Sequence, residues 1–281
     1  MHFWYRSRLG LFTYIVARRP DGSLATHKLL SDHPERYRDA AVQGIRDLLG
    51  LAPDAPIPAH AIEAVKMGTT VATNALLERK GERTALVTTR GFADALRIAY
   101  QNRPKLFVRR IELPSQLYER VIEADERIGA RGELVRTLDE AAVERELRAA
   151  HDAGIRAVAI VLMHGYRYPR HAQAIAAIAR RIGFPQVSVS HEVSPLMKLV
   201  SRGDTTVVDA YLSPILRRYV RQVEQDLDPH PDPLPRAGEG ARERDAAPAP
   251  HRGEPAGTSG KVRLQFMQSS GGLTDAHLFQ G

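Results

Sequence analysis

Residues 157–163 read Ala-Val-Ala-Ile-Val-Leu-Met, an apolar run without a charged or polar side chain. A strand that is apolar on both faces belongs inside a sheet that is covered on both sides, and such sheets are usually parallel. The run is far shorter than the roughly 20 residues that cross a bilayer as a helix. It therefore predicts an interior strand and indicates an α/β protein.

The segments on either side of this run predict helices with well-defined ends. Asp139 can accept hydrogen bonds from the free amides of a first helical turn, and Gly154 fits a left-handed C-cap. Residues 170–182 predict a second helix, which ends at Gly183 in the same way, and residues 186–190 predict another strand. Strands that alternate with helices through short connections favour a layered α/β architecture.

Hydrophobic periodicity and turn residues predict the remaining elements. Strands are expected over residues 11–17, 24–29, 64–67, 83–88 and 262–267, and a hairpin over 121–128 and 133–135. Helices are expected over residues 34–51, from the turn at 68–70 to about 78, over 92–98, and after Pro195 to about Leu227 with a break near Gly203.

Residues 229–260 differ in composition from the rest of the chain. They hold seven prolines and five glycines, and Leu234 is their one large apolar residue. Such a segment buries too little apolar surface to offset the entropy that is lost on ordering. We therefore predict a flexible insertion.

The composition of the 281 residues excludes several kinds of chemistry. There is no cysteine, which removes disulfides, iron–sulfur clusters, cysteine-ligated metals and a thiol nucleophile. The net charge is +7, but the arginines are interleaved with Glu and Asp, which is typical of a solvated surface rather than a nucleic-acid site. An apolar run at 9–17 follows Arg6 and Arg8 without a signal-peptide cleavage site, so we expect a cytoplasmic protein.

Two stretches rich in glycine and hydroxyl residues are candidate anion sites. Residues 68–81 read Gly-Thr-Thr-Val-Ala-Thr-Asn-Ala-Leu-Leu-Glu-Arg-Lys-Gly and place Thr69 and Thr70 where a strand turns into a helix. Residues 268–272 read Gln-Ser-Ser-Gly-Gly after another strand. Backbone amides and hydroxyls at such turns can hold an anion. The alternatives are a helix merely capped by a threonine and a simple tight turn.

Other catalytic motifs are incomplete or missing in the sequence. Residues 257–261 end like a phosphate loop, but Pro255 and Val262 stand where that motif needs Gly and Ser or Thr. There is no nucleophile elbow and no His-Glu-x-x-His segment. We expect His164 and His171 at the surface or at strand ends, predict no metal ligands and identify no catalytic base.

The two hydroxyl-rich stretches belong to a longer resemblance. The matching segments are residues 18–22, 26–30, 34–37, 68–81, 85–92, 101–104, 194–211 and 266–276. Apart from the first 14 residues and the insertion, the chain resembles the hydantoinase A/5-oxoprolinase family, and more particularly its bacterial 5-oxoprolinase branch. The resemblance implies an actin-like ATPase fold of ribonuclease-H-like α/β domains, present here as the N-terminal portion with an incomplete second domain.

The resemblance also implies a division of the chain and a reaction. Residues 1–228 would form the hydantoinase/oxoprolinase N-terminal domain, and residues 261–281 would begin the hydantoinase A domain. The 5-oxoprolinase members use ATP and Mg²⁺ to open the lactam of 5-oxoproline, giving glutamate. The alternative is an N-methylhydantoinase-like enzyme that opens a hydantoin-like ring. The implied partners are the small-molecule substrate and a missing C-terminal part or hydantoinase B-like region or subunit. A homo-oligomer is compatible with the resemblance, and neither nucleic acid nor a membrane is expected as a partner.

The candidate site residues come from the first hairpin (residues 7–14), from the two hydroxyl-rich stretches and from the 101–104 segment. The expected phosphate contacts are Gly10, Thr13, Ser270, Gly271 and Gly272. The expected active-site cleft contains Gly68, Thr69, Thr70, Asn74 and Arg103. Of these, Arg103 could meet a substrate carboxylate through two parallel hydrogen bonds, or could form a surface ion pair instead.

The first hairpin departs from the family pattern Asp-Arg-Gly-Gly-Thr-Phe-Thr-Asp. Ser7 and Tyr14 replace its two carboxylates, Leu9 adds a side chain where the backbone should approach a phosphate, and Leu11 removes a hydroxyl. The sequence also ends before the Gly-Pro-Ala-Gly-Gly segment, the expected second phosphate contact. These departures favour a chain that is inactive alone, and they leave a non-catalytic remnant or partner subunit as another alternative.

We predict that trypsin cleaves the chain first at Arg236, Arg242, Arg244 or Arg252, because the insertion lacks apolar anchors. Mass spectrometry of fragments from a brief digest identifies the first site, and a digest of the denatured chain is the control. First cleavage within residues 140–185 would contradict the prediction.

Overall fold

The computed structural model describes residues 1–8, 11–31, 33–52, 55, 57–58, 61–101, 107, 109–111, 113–227, 262–267 and 272–276. The insertion predicted at 229–260 lies outside them. The chain divides into two compact units, unit 1 with residues 1–70 and 220–279 and unit 2 with residues 71–219 and 280–281. Helices combined with parallel and antiparallel strands confirm the α/β class.

Unit 1 is built on a six-stranded sheet. Its strands are β1 (His2–Arg8), β2 (Phe12–Arg18), β3 (Leu24–Leu30), β4 (Ala64–Gly68), β11 (Arg263–Met267) and β12 (Leu273–Asp275), in the spatial order β12-β11-β4-β1-β2-β3. β1 to β3 form an antiparallel meander, and β1 and β11 both run parallel to β4. The strand pattern had predicted β2, β3, β4 and β11. It did not predict β1, although β1 lies inside the sheet between β2 and β4.

Helix α1 (Ala40–Leu49) packs on β2 and β3 of unit 1. It begins later than the predicted residue 34 because the Asp39 carboxylate caps it, accepting from the amides of Ala41 at 2.8 Å and Val42 at 3.0 Å. Gly44 permits the close approach of α1 to β2, since a Cβ built at this position would lie 2.0 Å from Cδ1 of Ile15.

Unit 2 contains a four-stranded sheet in which all neighbouring strands are parallel. Its strands are β5 (Thr84–Thr89), β6 (Arg120–Ala124), β9 (Ala157–Val161) and β10 (Gln186–Val189), in the order β10-β9-β5-β6. Every residue of β9 is at most 1% exposed. This confirms the interior strand that the apolar run predicted.

Helices cover β9 on both faces. Val158 and Ile160 belong to a core with side chains of α4 (Glu140–Asp152) and α5 (Arg170–Ile182). Ala157, Ala159 and Val161 lie in a second core with residues of α7 (Leu199–Leu227). The predicted caps of α4 and α5 are confirmed: Asp139 accepts from the amide of Ala142 at 2.9 Å, and Gly183 has a φ of 105°.

The remaining elements of unit 2 are short. They are α2 (Val71–Leu77), α3 (Ala95–Ile98), α6 (Ser190–Val193), β7 (Arg127–Ile128) and β8 (Leu134–Arg136). Among the helices of the described residues, none has both the length and the apolar character that a bilayer span requires.

Two predictions of local structure were wrong. α7 runs through Gly203 without a break, because this glycine is a packing position: a Cβ there would lie 2.5 Å from Cδ2 of Leu96. The segment 121–128 does not form one hairpin strand. Its first part, in β6, pairs with β5, and only β7 pairs with β8, since the chain leaves the main sheet after Ala124.

We expect Ile160→Asp to destabilise the protein by more than about 4 kcal/mol, because it buries an unpaired carboxylate in β9. Urea unfolding measures the change in the free energy of unfolding. Ile160→Val is the matched control, which removes one methylene group and costs about 0.5–1.5 kcal/mol. An Asp variant as stable as the Val variant would refute the interior position.

Candidate functional site

The candidate site lies at one edge of the unit 1 sheet. Since β1, β4 and β11 are parallel, their last residues Arg8, Gly68 and Met267 end at the same edge. Leu273, the first residue of β12, lies there too, because it pairs with Met267. Carboxyl ends of parallel strands are the usual ligand-binding edge of such sheets.

The predicted phosphate residues of the first hairpin differ in how fully they are described. Gly10 lies outside the described residues. Thr13 is fully buried on β2, opposite Ser7 of β1, and its Oγ1 lies 3.1 Å from Oγ of Ser31. The Thr13 hydroxyl therefore already has a protein partner, and a phosphate contact there stays a prediction.

The predicted cleft residues Gly68, Thr69 and Thr70 connect the end of β4 to the start of α2. Both threonines make polar contacts within the protein. Asn74 follows four residues later in the sequence, half-buried in α2, which belongs to unit 2, and its carbonyl accepts from the amide of Glu78 at 2.9 Å.

One residue of the second glycine-rich stretch, Gly272, is described, and it lies at the same edge of unit 1. Gly272 is exposed and directly precedes β12. Ser270 and Gly271, like Arg103, lie outside the described residues. Unit 1 thus brings Thr13, the 68–70 turn and Gly272 to one sheet, as expected for segments that share a ligand.

These residues fit a phosphate better than a protein-bound Mg²⁺. The turns offer backbone amides and hydroxyls, which suit an anion. Among the described residues, no three His, Asp or Glu side chains are grouped so that they could hold a metal ion. Magnesium is usually held by one or two carboxylates together with phosphate oxygens. The hairpin positions that would supply those carboxylates carry Ser7 and Tyr14.

Lys28 is a charged residue beside the first hairpin, and the sequence analysis did not single it out. Its Nζ lies 3.9 Å from the ring centroid of Phe12 and 5.3 Å from that of Tyr14. The alternation of side chains along β3 gave no sign of it, because a lysine on a half-exposed strand is ordinary.

Comparison with known proteins identifies the family. Residues 10–183 match the Hydantoinase/oxoprolinase N-terminal region, and residues 202–281 match Hydantoinase/oxoprolinase. The chain belongs to the hydantoinase/oxoprolinase family. The predicted resemblance is therefore confirmed.

Individual relatives of this hydantoinase/oxoprolinase chain are much longer than the chain itself. It is 38% identical over 302 aligned residues to 5-oxoprolinase 1 of Arabidopsis thaliana, covering 98% of this chain and 22% of the relative. It is 35% identical to 5-oxoprolinase of Saccharomyces cerevisiae, covering 90% of this chain and 20% of the relative. The crystal structure of ATP-dependent caprolactamase from Pseudomonas jessenii superposes with a TM-score of 0.72 at 26% identity, covering 98% of this chain and 36% of that one.

Unit 2 of this hydantoinase/oxoprolinase chain holds a buried polar network after the carboxyl ends of its strands. Glu126 accepts from the Thr89 hydroxyl, and His171 Nδ1 lies 2.8 Å from the other carboxylate oxygen. The amide of Met163 donates to Thr89 Oγ1 at 3.0 Å. The expected position of His171 at the surface or at a strand end was wrong, because this residue lies in α5, is 8% exposed and is paired with a buried carboxylate. His164 is half-buried, with Nδ1 2.6 Å from the carbonyl of Ile128.

Arg202 fixes the same end of β9 from α7. It is fully buried, and its guanidinium donates to the carbonyls of Leu162 at 2.7 Å and Met163 at 3.2 Å. It also donates to those of Leu196 at 2.6 Å and Met197 at 3.0 Å. Burial lowers the pKa of Arg202, and the charge is compensated by backbone carbonyls.

We expect Arg202→Met to destabilise the protein by about 3 kcal/mol or more, because four backbone carbonyls lose the buried guanidinium that donates to them while the apolar stem is kept. Arg218→Met on the same helix is the matched control. It removes an exposed ion pair with Glu82 at 3.1 Å, which is worth about 1 kcal/mol or less. Equal losses of unfolding free energy in the two variants would show that the carbonyl contacts of Arg202 contribute little.

Proposed function

We propose that this chain is the N-terminal part of an ATP-dependent hydrolase that opens a cyclic amide, of the 5-oxoprolinase type. The observation that carries the proposal is the meeting of the β1, β4 and β11 carboxyl ends in a chain 38% identical to a 5-oxoprolinase. The solved ATP-dependent caprolactamase supports the same class, because its name also denotes ATP-driven action on a lactam.

The proposed chemistry explains why a phosphate site is needed. A lactam carbonyl is a poor electrophile, and phosphoryl transfer to its oxygen would create a good leaving group before water attacks. In this proposal the turns at 68–70 and 270–272, with Gly10, hold phosphate oxygens through backbone amides and hydroxyls. ATP is the group that these turns would hold.

The finer fold assignment belongs to the same proposal. We propose that unit 1 is the first ribonuclease-H-like domain of an actin-like ATPase, and that the second is completed by sequence that this chain does not span. The chain covers about a fifth of its 5-oxoprolinase relatives, so a C-terminal part or a hydantoinase B-like subunit is the partner we propose.

5-Oxoproline is the substrate we propose, and a hydantoin-like ring is the alternative. We also propose that the chain alone does not hydrolyse its substrate, and the replaced hairpin residues support this. Ser7, Leu9, Leu11 and Tyr14 together remove two carboxylates and one hydroxyl and add a side chain near the expected phosphate.

We predict that the 281-residue chain alone releases no glutamate from 5-oxoproline with ATP and Mg²⁺. Fused to the C-terminal remainder of the Arabidopsis relative, and carrying Ser7→Asp, Leu9→Gly, Leu11→Thr and Tyr14→Asp, it should do so. The same fusion without the four changes is the control, since loss of even one preorganised donor costs about 10²–10³ in rate. Glutamate formation by the unmodified chain alone would contradict the proposal that the altered hairpin prevents activity. A repaired fusion that forms no glutamate would contradict the proposed substrate.

Within the active fusion, we expect Thr69→Val combined with Thr70→Val to lower kcat about 10-fold or more, because two hydroxyl donors are lost at constant volume. Thr73→Val, at an exposed position of α2, is the matched control and should leave kcat unchanged. Equal kcat values in the two variants would show that the 68–70 turn is not part of the site.

A further inference from the structure

Strand β10 of unit 2 lines an open cavity of about 500 Å³, which we name the β10 groove. β10 is the edge strand of its sheet, with β9 on one side and no strand of the described residues on the other. The lining residues come from the end of α5, from β10, from α6 and from the middle of α7, all within the continuously described range 113–227. The volume lies within the range of about 300–1,000 Å³ that is usual for ligand sites.

The backbone of β10 presents hydrogen-bonding groups to this groove. In the parallel pair with β9, Gln186 is opposite Ala157, and its amide donates to the carbonyl of Arg156 at 3.4 Å. Because the peptide groups of successive strand residues point to opposite sides, those of Val187 point away from β9. Among the described residues, no group pairs with the amide or carbonyl of Val187 or with the amide of Val189. An unpaired edge of this kind can accept an added strand.

A buried side-chain network holds β10 in place beside the groove. The Ser188 hydroxyl donates to one carboxylate oxygen of Asp209 at 2.5 Å, and the Ser213 hydroxyl donates to the other at 2.8 Å. The side-chain amide of Gln186 donates to Ser188 Oγ at 2.7 Å. Gln186, Ser188 and Ser213 are all buried. The network ties β10 to α7, so a ligand meets an edge that is already formed and loses less entropy on binding.

Charged side chains are ordered by sign along the β10 groove. Arg180 lines it from the last turn of α5, where the chain approaches the start of β10, and its side chain has no ion pair or hydrogen bond among the described residues. Arg217 lies at the same end, with Nη2 3.4 Å from the carbonyl of Pro185. Glu192 lines the other end from α6, which follows β10, and Asp209 lies between. The groove is therefore positive at the start of β10 and negative beyond its end.

We propose that the β10 groove binds a short extended peptide with free termini, which pairs antiparallel with β10 as a fifth strand. One peptide residue exchanges two hydrogen bonds with Val187. The antiparallel direction places the terminal carboxylate near Arg180 and the terminal ammonium near Glu192, whereas a parallel peptide would bring each terminus to a like charge. Four extended residues span about 13 Å, which matches the four residues of β10.

A single extended chain fits this groove better than a second copy of the protein. Arg180 of α5 and Asp209, Ser213 and Arg217 of α7 line the groove together with the strand edge. A second β10 would have to enter between these side chains together with its own flanking helices. The proposal does not depend on the proposed function.

Titration of the ¹⁵N-labelled 281-residue chain at neutral pH, followed by amide NMR, tests the proposal with the tetrapeptide Thr-Val-Thr-Val. We expect saturable binding that shifts the amide signals of Val187 and Val189. The same peptide with an acetylated amino terminus and an amidated carboxyl terminus should bind at least about 10-fold more weakly, because both terminal charges are lost. The peptide with N-methylated internal amides should also bind at least about 10-fold more weakly, since it cannot donate to the Val187 carbonyl.

Arg180→Gln and Glu192→Gln should each weaken binding of the free tetrapeptide about 3-fold or more, because each removes one exposed charge at an end of the groove. Arg145→Gln, at an exposed position of α4, is the matched control and should bind like the parent chain. Equal affinity for the free and the blocked peptides, binding unaffected by both variants, or no peptide binding would overturn the proposal. A dimer in analytical ultracentrifugation whose Val187 amide is protected from exchange without peptide would also overturn it, because a second copy would then cover the edge.

Discussion

The buried guanidinium of Arg202 is the interaction on which the loops at the carboxyl end of β9 in unit 2 depend. It binds four backbone carbonyls from two loops, and among the described residues no carboxylate pairs with it. Burying a cation is costly unless acceptors replace water, and these carbonyls supply acceptors for both terminal nitrogens, although Nε has no partner among the described residues. The loop that leaves β9 is thereby held from α7 on one side and by Thr89 on the other.

In both units, parallel strands bring their carboxyl ends to one edge of the sheet. The residues that follow the strands at this edge differ between the units. In unit 1 the loops beyond β1, β4 and β11 carry glycine and hydroxyl residues, which suit a phosphate. In unit 2 the corresponding edge is closed by the hydrogen bonds of Thr89, Glu126 and His171. The nucleotide contacts that we propose for this chain therefore belong to the first edge, whereas the hydrogen bonds at the second edge stabilise unit 2.

The altered first hairpin changes the electrostatics of the unit 1 edge. Where the family pattern has a second carboxylate, Tyr14 presents a ring, and Lys28 lies over the rings of Tyr14 and Phe12. A lysine beside a phosphate loop favours an anion, but it does not replace the oxygen ligands that Mg²⁺ prefers. For this reason we propose that repair of the hairpin and completion of the second domain are separate requirements for activity.

The sequence by itself determined the elements whose signals are local. The apolar run at 157–163 predicted β9, and Asp139 and Gly183 marked helix ends, because burial on two faces, capping and positive φ leave direct traces in residue type. The hydroxyl-rich turn at 68–70 could likewise be found from composition, and the family from the long resemblance.

Only the tertiary structure decided the features that depend on distant partners. Gly203 was expected to break a helix, but it continues one because Leu96, more than a hundred residues away, occupies the space that a side chain would need. His171 was expected at the surface or at a strand end, but it is buried in α5 because Glu126 supplies a partner that sequence spacing does not reveal.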